Sequence, residues 1–200
     1  MNGREVESYW EKRLNIATGA ARHEKDDRDH SRYEPTPYSV LERLAESGWV
    51  ERESVLVDYG CGKGRVSFFM SMATGCRSVG VEYDRRLFEE AEGNLERYAG
   101  RRERVEFRCE NAEKSDAAGA DCFYFFNPFS VRILMSVLGR IYESYYEHPR
   151  RIKLIFYYPL DEYLSYLMAE VMLKYEGEID CRDLFHNDNR MERAVLFGIG

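Results

Sequence analysis

Four stretches of the chain carry residue types at spacings that suit chemistry. The first is Asp58-Tyr59-Gly60-Cys61-Gly62-Lys63-Gly64, a carboxylate followed by glycines at alternate positions. Backbone without Cβ turns tightly and lets a ligand touch the main chain. A helix starting there points its first amides at the same ligand. The second is Glu82, 22 positions beyond Gly60. A carboxylate about 20 residues past such a turn suits the two hydroxyls of a ribose. The third is Glu110-Asn111-Ala112, which offers a polar side chain and a backbone amide to the edge of a heterocycle such as adenine. The fourth is Asn127-Pro128-Phe129.

The surrounding pattern says what must hold these residues. Short apolar runs at Ser54–Val57, Ser78–Val81, Val105–Cys109, Asp121–Phe126 and Ile152–Tyr158 read as strands. Between them, apolar residues recur every three or four positions, as in Val66-Phe69-Met70-Ala73 and Leu87-Phe88-Ala91-Leu95. Further helical faces are Val131 to Ile141 and Leu164 to Met172. Two last extended runs, Glu178–Leu184 and Ala194–Ile199, have no helix between them and must pair as a near-hairpin. The expected fold is α/β: a doubly wound, mostly parallel seven-stranded sheet with one antiparallel strand near the C-terminus and helices on both faces. Ligands of such sheets bind beyond the carboxyl ends of the strands. All four stretches stand there.

Residues 1–35 read as an N-terminal helix and a charged linker or lid. Val6, Tyr9, Trp10, Leu14 and Ala17 are helix-spaced, and 22–34 is nearly all charged. Residues 36–200 read as the ligand-binding domain, entered through a helix with Thr36 as N-cap, Pro37 at its first position and Gly48 at its close.

Composition narrows the function classes. The chain has 200 residues, 44% of them hydrophobic and 14% aromatic, too apolar for a disordered segment. A net charge of −7 argues against nucleic acid or an anionic membrane as the main partner, since these call for a basic face. No apolar run approaches the roughly 20 residues of a membrane helix. Five scattered cysteines with no C-x-x-C pair read as reduced thiols in a cytoplasmic protein, without a zinc site.

A nicotinamide cofactor would share the glycine turn and the distal acid. However, the third position of a G-x-G-x-x-G/A fingerprint counted from Gly60 is Arg65, too large for close helix–strand packing. Asp58 would also repel a pyrophosphate, and would attract a ligand with an ammonium or sulfonium.

VLVDYGCGKGRV followed by VGVEYDRRL resembles the class I S-adenosylmethionine-dependent methyltransferases, whose first motif is D/E-x-G-x-G-x-G and whose second strand ends in an acid. The Thr36-Pro37 helix entry, Asp58-x-Gly-Cys-Gly-x-Gly-Arg65 and Gly80-Val81-Glu82 give a finer resemblance to their protein-lysine methyltransferase branch. The resemblance implies S-adenosylmethionine as cofactor and no metal. It implies Asp58 beside the methionyl ammonium, with Gly60, Cys61, Gly62 and Gly64 along the methionine part. Glu82 would hold the ribose, Tyr83 would pack on the adenine, and Asn111 and Ala112 would face its edge. Asn127, Pro128 and Phe129 would lie at the reactive methyl, as a shortened form of the N/D/S-P-P-Y/F motif of amino-methylating members. The implied activity is methyl transfer, to nitrogen by preference, on a protein or small molecule rather than nucleic acid. A non-catalytic module that holds S-adenosylmethionine or S-adenosylhomocysteine is the alternative, and a nicotinamide oxidoreductase a more distant one.

Tyr157, Tyr158 and Pro159 would wall the acceptor pocket opposite Phe129, or one tyrosine would be core, since neighbours on a strand face opposite ways. His23, Asp26, Asp27, Asp29 and His30 read as a solvated charged segment. Arg101-Arg102 with Arg104, and Arg150-Arg151 with Lys153, read as solvated strand flanks.

Overall fold

The computed structural model describes residues 3–19, 33–185 and 188–200. The charged segment read as a lid, with His23 and His30, and His186 lie outside them, apart from Tyr33 and Glu34 at the segment's end. The strands are β1 (Val55–Tyr59), β2 (Arg77–Glu82), β3 (Val105–Cys109), β4 (Cys122–Phe125), β5 (Ile152–Tyr157), β6 (Lys174–Asp180) and β7 (Arg193–Ile199). The helices are α1 (Gly3–Leu14), α2 (Tyr38–Glu46), α3 (Arg65–Thr74), α4 (Arg85–Arg97), α5 (Val131–Glu147) and α6 (Asp161–Ala169). One seven-stranded sheet runs in the order β3-β2-β1-β4-β5-β7-β6. Every pairing from β3 to β5 is parallel, and β7 is antiparallel to both β5 and β6. This is the expected doubly wound sheet with one reversed strand.

Alternation along each strand builds two cores. Leu56 of β1 and Tyr124 of β4 face Leu41 of α2, Phe68 of α3 and Ala91 of α4. Val57, Tyr59, Phe123 and Phe125 face Leu134 and Leu138 of α5 and Leu167 of α6. Leu14 and Ile16, at the end of α1 and just beyond it, are buried in the first core. Sheet order reverses between β1 and β4, so their carboxyl ends open the crevice where a ligand fits.

Three boundaries differ from the sequence reading. Pro37 takes the N-cap position of α2, and the Thr36 hydroxyl bonds the Tyr124 hydroxyl at 2.8 Å instead of capping the helix. The helix predicted through Met172 stops at Ala169, leaving Val171 99% exposed, and β6 starts at Lys174 rather than Glu178. The basic flanks are also not simply solvated. Arg150 donates to the carbonyls of Ala117, Ala120, Ser144 and His148, and Arg104 donates to the Gly75 carbonyl.

Candidate functional site

Beyond β1 the chain passes through Gly60, Gly62 and Gly64 with φ of +73°, +54° and +87°, a region that L side chains rarely adopt. The three glycines make room for three different neighbours. A Cβ on Gly60 would stand 2.5 Å from Pro128 Cβ. One on Gly62 would strike the Tyr33 ring, and one on Gly64 would strike Phe107 and Phe68 in the core. Gly60 therefore borders the crevice directly, Gly62 makes room for the Tyr33 ring of its wall, and Gly64 serves the core.

A cavity of about 450 Å³ occupies it, within the range of small-molecule sites. Among the residues singled out in the sequence, Asp58, Gly60, Cys61, Glu82, Tyr83, Asn111, Ala112, Pro128 and Phe129 line it. Gly62, Gly64 and Asn127 do not. Tyr33 and Glu34, the end of the segment read as a lid, also line the cavity, and sequence reasoning missed Pro35 and Thr36 beside them, together with Arg65, Tyr124 and Phe126.

The electrostatics centre on two buried acids. Asp58 is 3% exposed, and its Oδ2 has no hydrogen-bond partner. Burial first, and then the nearby Glu82 charge, push its carboxyl up to about 8. A carboxylate left unpaired inside a protein is costly and is relieved by a cation placed against it. Glu82 is better supported. Its oxygens accept the backbone amides of Gly62 and Asp84, each at 2.8 Å. Burial still raises its pKa, and those amides oppose the rise. A carboxylate offers about four acceptor directions, so both oxygens can take further donors. Cys61, in the glycine turn, has its thiol raised well above the ordinary range by burial first and then by the charges of Asp58 and Glu82.

Tyr83, 59% exposed, lies along the cavity. The Asn111 side chain instead closes its own turn: its Oδ1 accepts the Glu113 amide at 2.8 Å and its Nδ2 donates to Glu113.

Beyond the ends of β4 and β5 the Asn127 side chain bonds the backbone of the neighbouring loop. Asn127 has φ +43° and Tyr158 has φ +51°. Asn127 Nδ2 donates to the Tyr158 carbonyl at 2.7 Å, and its Oδ1 accepts the Leu160 amide at 3.3 Å. Asn189 Nδ2 donates to the Tyr158 hydroxyl at 2.7 Å. The atom expected at the reacting centre thus bonds the neighbouring loop. Phe129 reaches the cavity, but its ring packs edge-on to Tyr59 and Phe125 and its carbonyl accepts the Tyr163 hydroxyl. Tyr157 is buried in the other core, with its hydroxyl on Glu192 at 2.7 Å, so it does not wall a pocket opposite Phe129. Among the described residues no cluster of histidine, cysteine and acids is suited to a metal ion. No described helix is long and apolar enough to cross a membrane.

No family model matches the chain. A protein-lysine N-methyltransferase of Saccharolobus islandicus is 33% identical over 69 residues, which are 34% of this chain and 43% of the relative. The match thus spans less than half of either protein. Solved structures align over most of the chain. An RNA methyltransferase of Salinibacter ruber in complex with S-adenosylhomocysteine has a TM-score of 0.55 at 22% identity, over 83% of this chain and 94% of its own. The magnesium protoporphyrin IX methyltransferase of Synechocystis with bound S-adenosylmethionine has a TM-score of 0.56 at 13% identity, over 80% of this chain and 76% of its own. The chain has the class I, Rossmann-like methyltransferase fold.

Proposed function

We propose that this chain is an S-adenosylmethionine-dependent methyltransferase that modifies an amine nitrogen of a protein or small molecule. The observation that carries the reading is the unpaired Asp58 carboxyl at the cavity, between the glycine turn and Glu82. An amino-acid ammonium meets the need of Asp58, and a ribose diol meets the spare acceptor directions of Glu82. A pyrophosphate would meet neither. The shared fold and the local identity to a lysine methyltransferase support the same reading.

When bound, the cofactor would supply an electrophilic methyl on a sulfonium, with the neutral thioether S-adenosylhomocysteine as the leaving group. The protein's tasks are alignment and exclusion of water. Asp58 and Glu82 fix the two ends of the ligand. Tyr124, Phe126 and Pro128 give the remaining walls an apolar character, which favours the neutral form of an amine over its ammonium. The Asn127 bonds to the loop after β5 hold Pro128 against Gly60, so Asn127 acts on the reaction by placing the wall.

Two measurements test this. Calorimetry should show micromolar binding of S-adenosylhomocysteine and much weaker binding of NAD. Tritium from labelled S-adenosylmethionine, incubated with lysate, should enter the protein or small-molecule fraction. Label confined to RNA would overturn the acceptor class, and binding without transfer into any fraction would leave a binding module. NAD binding tighter than S-adenosylhomocysteine would overturn the cofactor.

A further inference from the structure

Arg65 is the first residue of α3, directly after the glycine turn, and it is 4% exposed. A guanidinium so buried needs its charge and its donors satisfied. Here they are met almost wholly by the N-terminal part of the chain. Nε donates to the Thr18 hydroxyl at 2.7 Å. One terminal nitrogen donates to Glu7 at 2.6 Å and to the Thr36 carbonyl at 3.1 Å, and the other donates to Glu11 at 3.3 Å. The guanidinium carbon stands 4.3 Å from the centre of the Tyr38 ring.

The same partners then hold the cavity wall. Tyr33, which covers Gly62, donates its hydroxyl to the Thr18 carbonyl at 2.7 Å. Tyr38 donates its backbone amide to Glu7 and its hydroxyl to Glu11, each at 2.9 Å. Thr36 bonds Arg65 through its carbonyl and Tyr124 through its hydroxyl. Residues 33–36 therefore have their place fixed by one buried cation that also begins α3. Four of the five N–H donors of that cation, which borders the cavity, are bonded within the protein, so it acts on a ligand chiefly through those partners.

We infer that Arg65 is a positioning residue for the cofactor: through Glu7, Glu11, Thr18 and Thr36 it sets the 33–36 wall against the glycine turn, and cofactor affinity depends on that staple. The inference rests on the reading of the cavity as an S-adenosyl site. Lysine keeps the charge but lacks the planar fork that reaches several partners at once.

The test is calorimetry with S-adenosylhomocysteine on the whole chain, with melting temperature and amide exchange recorded for each variant. Arg65→Lys should raise Kd about tenfold or more, the scale of a lost charge-assisted pair. Glu11→Gln, on the half-exposed partner helix, should raise Kd about threefold. In both, ligand-induced protection of residues 33–41 should be lost. Arg150→Lys is the matched control, because Arg150 also binds several carbonyls but on the other side of the sheet. It should lower the melting temperature with Kd within twofold of wild type. If Arg65→Lys does not fold, Glu11→Gln decides. Kd within twofold of wild type in the folded variants would overturn the inference. So would an Arg150→Lys variant that binds as weakly as Arg65→Lys, since loss of stability alone would then suffice. A wild-type chain that does not bind S-adenosylhomocysteine would remove the underlying cofactor reading, a failure visible before any variant is made.

Discussion

Asp58 and Asn127 stand at or beyond the carboxyl ends of neighbouring parallel strands, and their side chains are treated in opposite ways. Asp58 is buried with an oxygen that nothing in the protein meets. Asn127 has both ends of its amide bonded to the loop after β5. Along β1 and β2 the fold leaves polar capacity for something outside the chain. Along β4 and β5 it uses that capacity internally, and two non-glycine residues accept left-handed backbone to do so. At the crevice, an unmet group such as the Asp58 oxygen is one that a ligand can partner, whereas met groups there fix the shape of the wall. The first region is therefore expected to show changes in ligand affinity when altered, and the second, changes in stability and geometry.

The largest effect is expected where the two regions touch. Gly60→Ala puts a Cβ 2.5 Å from that of Pro128 and forces an L residue to φ +73°. Overpacking of about 1–3 kcal/mol and about 1–2 kcal/mol for the left-handed backbone add to about 2–5 kcal/mol of lost stability. Urea unfolding measures it, and cofactor binding should fail in whatever remains folded. An unchanged midpoint would mean that Pro128 does not press on this turn.

Glu82→Ala comes next. It removes the ribose acceptor, which should cost about 1.5–3 kcal/mol of S-adenosylhomocysteine affinity by calorimetry. It also strips partners from the Gly62 and Asp84 amides, so the melting temperature of the free protein should fall as well. A loss of affinity with no loss of stability would mean that those two amides find water at once.

The glycine turn and Glu82 were legible in sequence because their meaning is local: a short strand, alternate glycines, then a fixed distance to the next strand end. The mostly parallel sheet followed from the strand–helix alternation for the same reason, whereas the strand order is seen only in the folded chain. Arg65 was not legible in its real role. Its partners stand at positions 7, 11, 18 and 36, and only the folded chain brings them together. In the sequence it registered as a residue too large for a dinucleotide fingerprint and as the close of the glycine motif, not as a hub for the N-terminal segment. The bonds of Asn127 were equally out of reach, since its partners lie 31 and 33 residues away. Asn111 was more readable than it was read, because an asparagine two residues before an acceptor-seeking amide is an ordinary side-chain turn. The end of α6 misled because Val171 and Met172 keep helical spacing, yet residues 170–173 turn the chain toward β6 and leave Val171 in solvent.

The Asp58 side of the comparison is sharpened by pH. Its carboxyl is held up to about 8 by burial and by Glu82. In the unfolded chain it titrates near the ordinary value of about 3.9. A raised acid contributes stability that is fully present below the unfolded value and is lost as pH rises through the folded one. The unliganded melting temperature should therefore decline between about pH 4 and 8. Ligand affinity should move the other way, because an ammonium binds the ionised form. It should rise toward about tenfold per pH unit below neutrality, then turn down above about pH 8 as the free amino group loses its own proton. Calorimetry across pH and in buffers of different ionisation enthalpy reads both the affinity and the proton released. Asp58→Asn should flatten the acid limb. A wild-type profile already flat from pH 5 to 8 would show that Asp58 is not the titrating partner.

The smallest effect is expected at Asn127, and Asn127→Asp separates the two descriptions of its region. If the Asn127 oxygen served an acceptor amine, as the resemblance implies, aspartate would keep that oxygen and activity would survive. In the structure the other end of the amide matters more. Nδ2 donates to the Tyr158 carbonyl at 2.7 Å, and aspartate would set a carboxylate oxygen against a carbonyl oxygen there. Its second oxygen can still accept from Leu160, so one bond of the pair is kept and one is turned repulsive. The expected loss is about 1–2 kcal/mol, or about 2–8 °C in melting temperature for a chain of this size. Asn127→Ala, which loses both bonds without the repulsion, should be no worse. Activity should fall in both through a displaced Pro128, while cofactor affinity changes by no more than about threefold, since Asn127 does not line the cavity. A fully active Asn127→Asp with an unchanged melting temperature would return Asn127 to the reacting centre. The β4 end would then resemble the β1 end after all, as a second place where the fold holds polar capacity for a ligand.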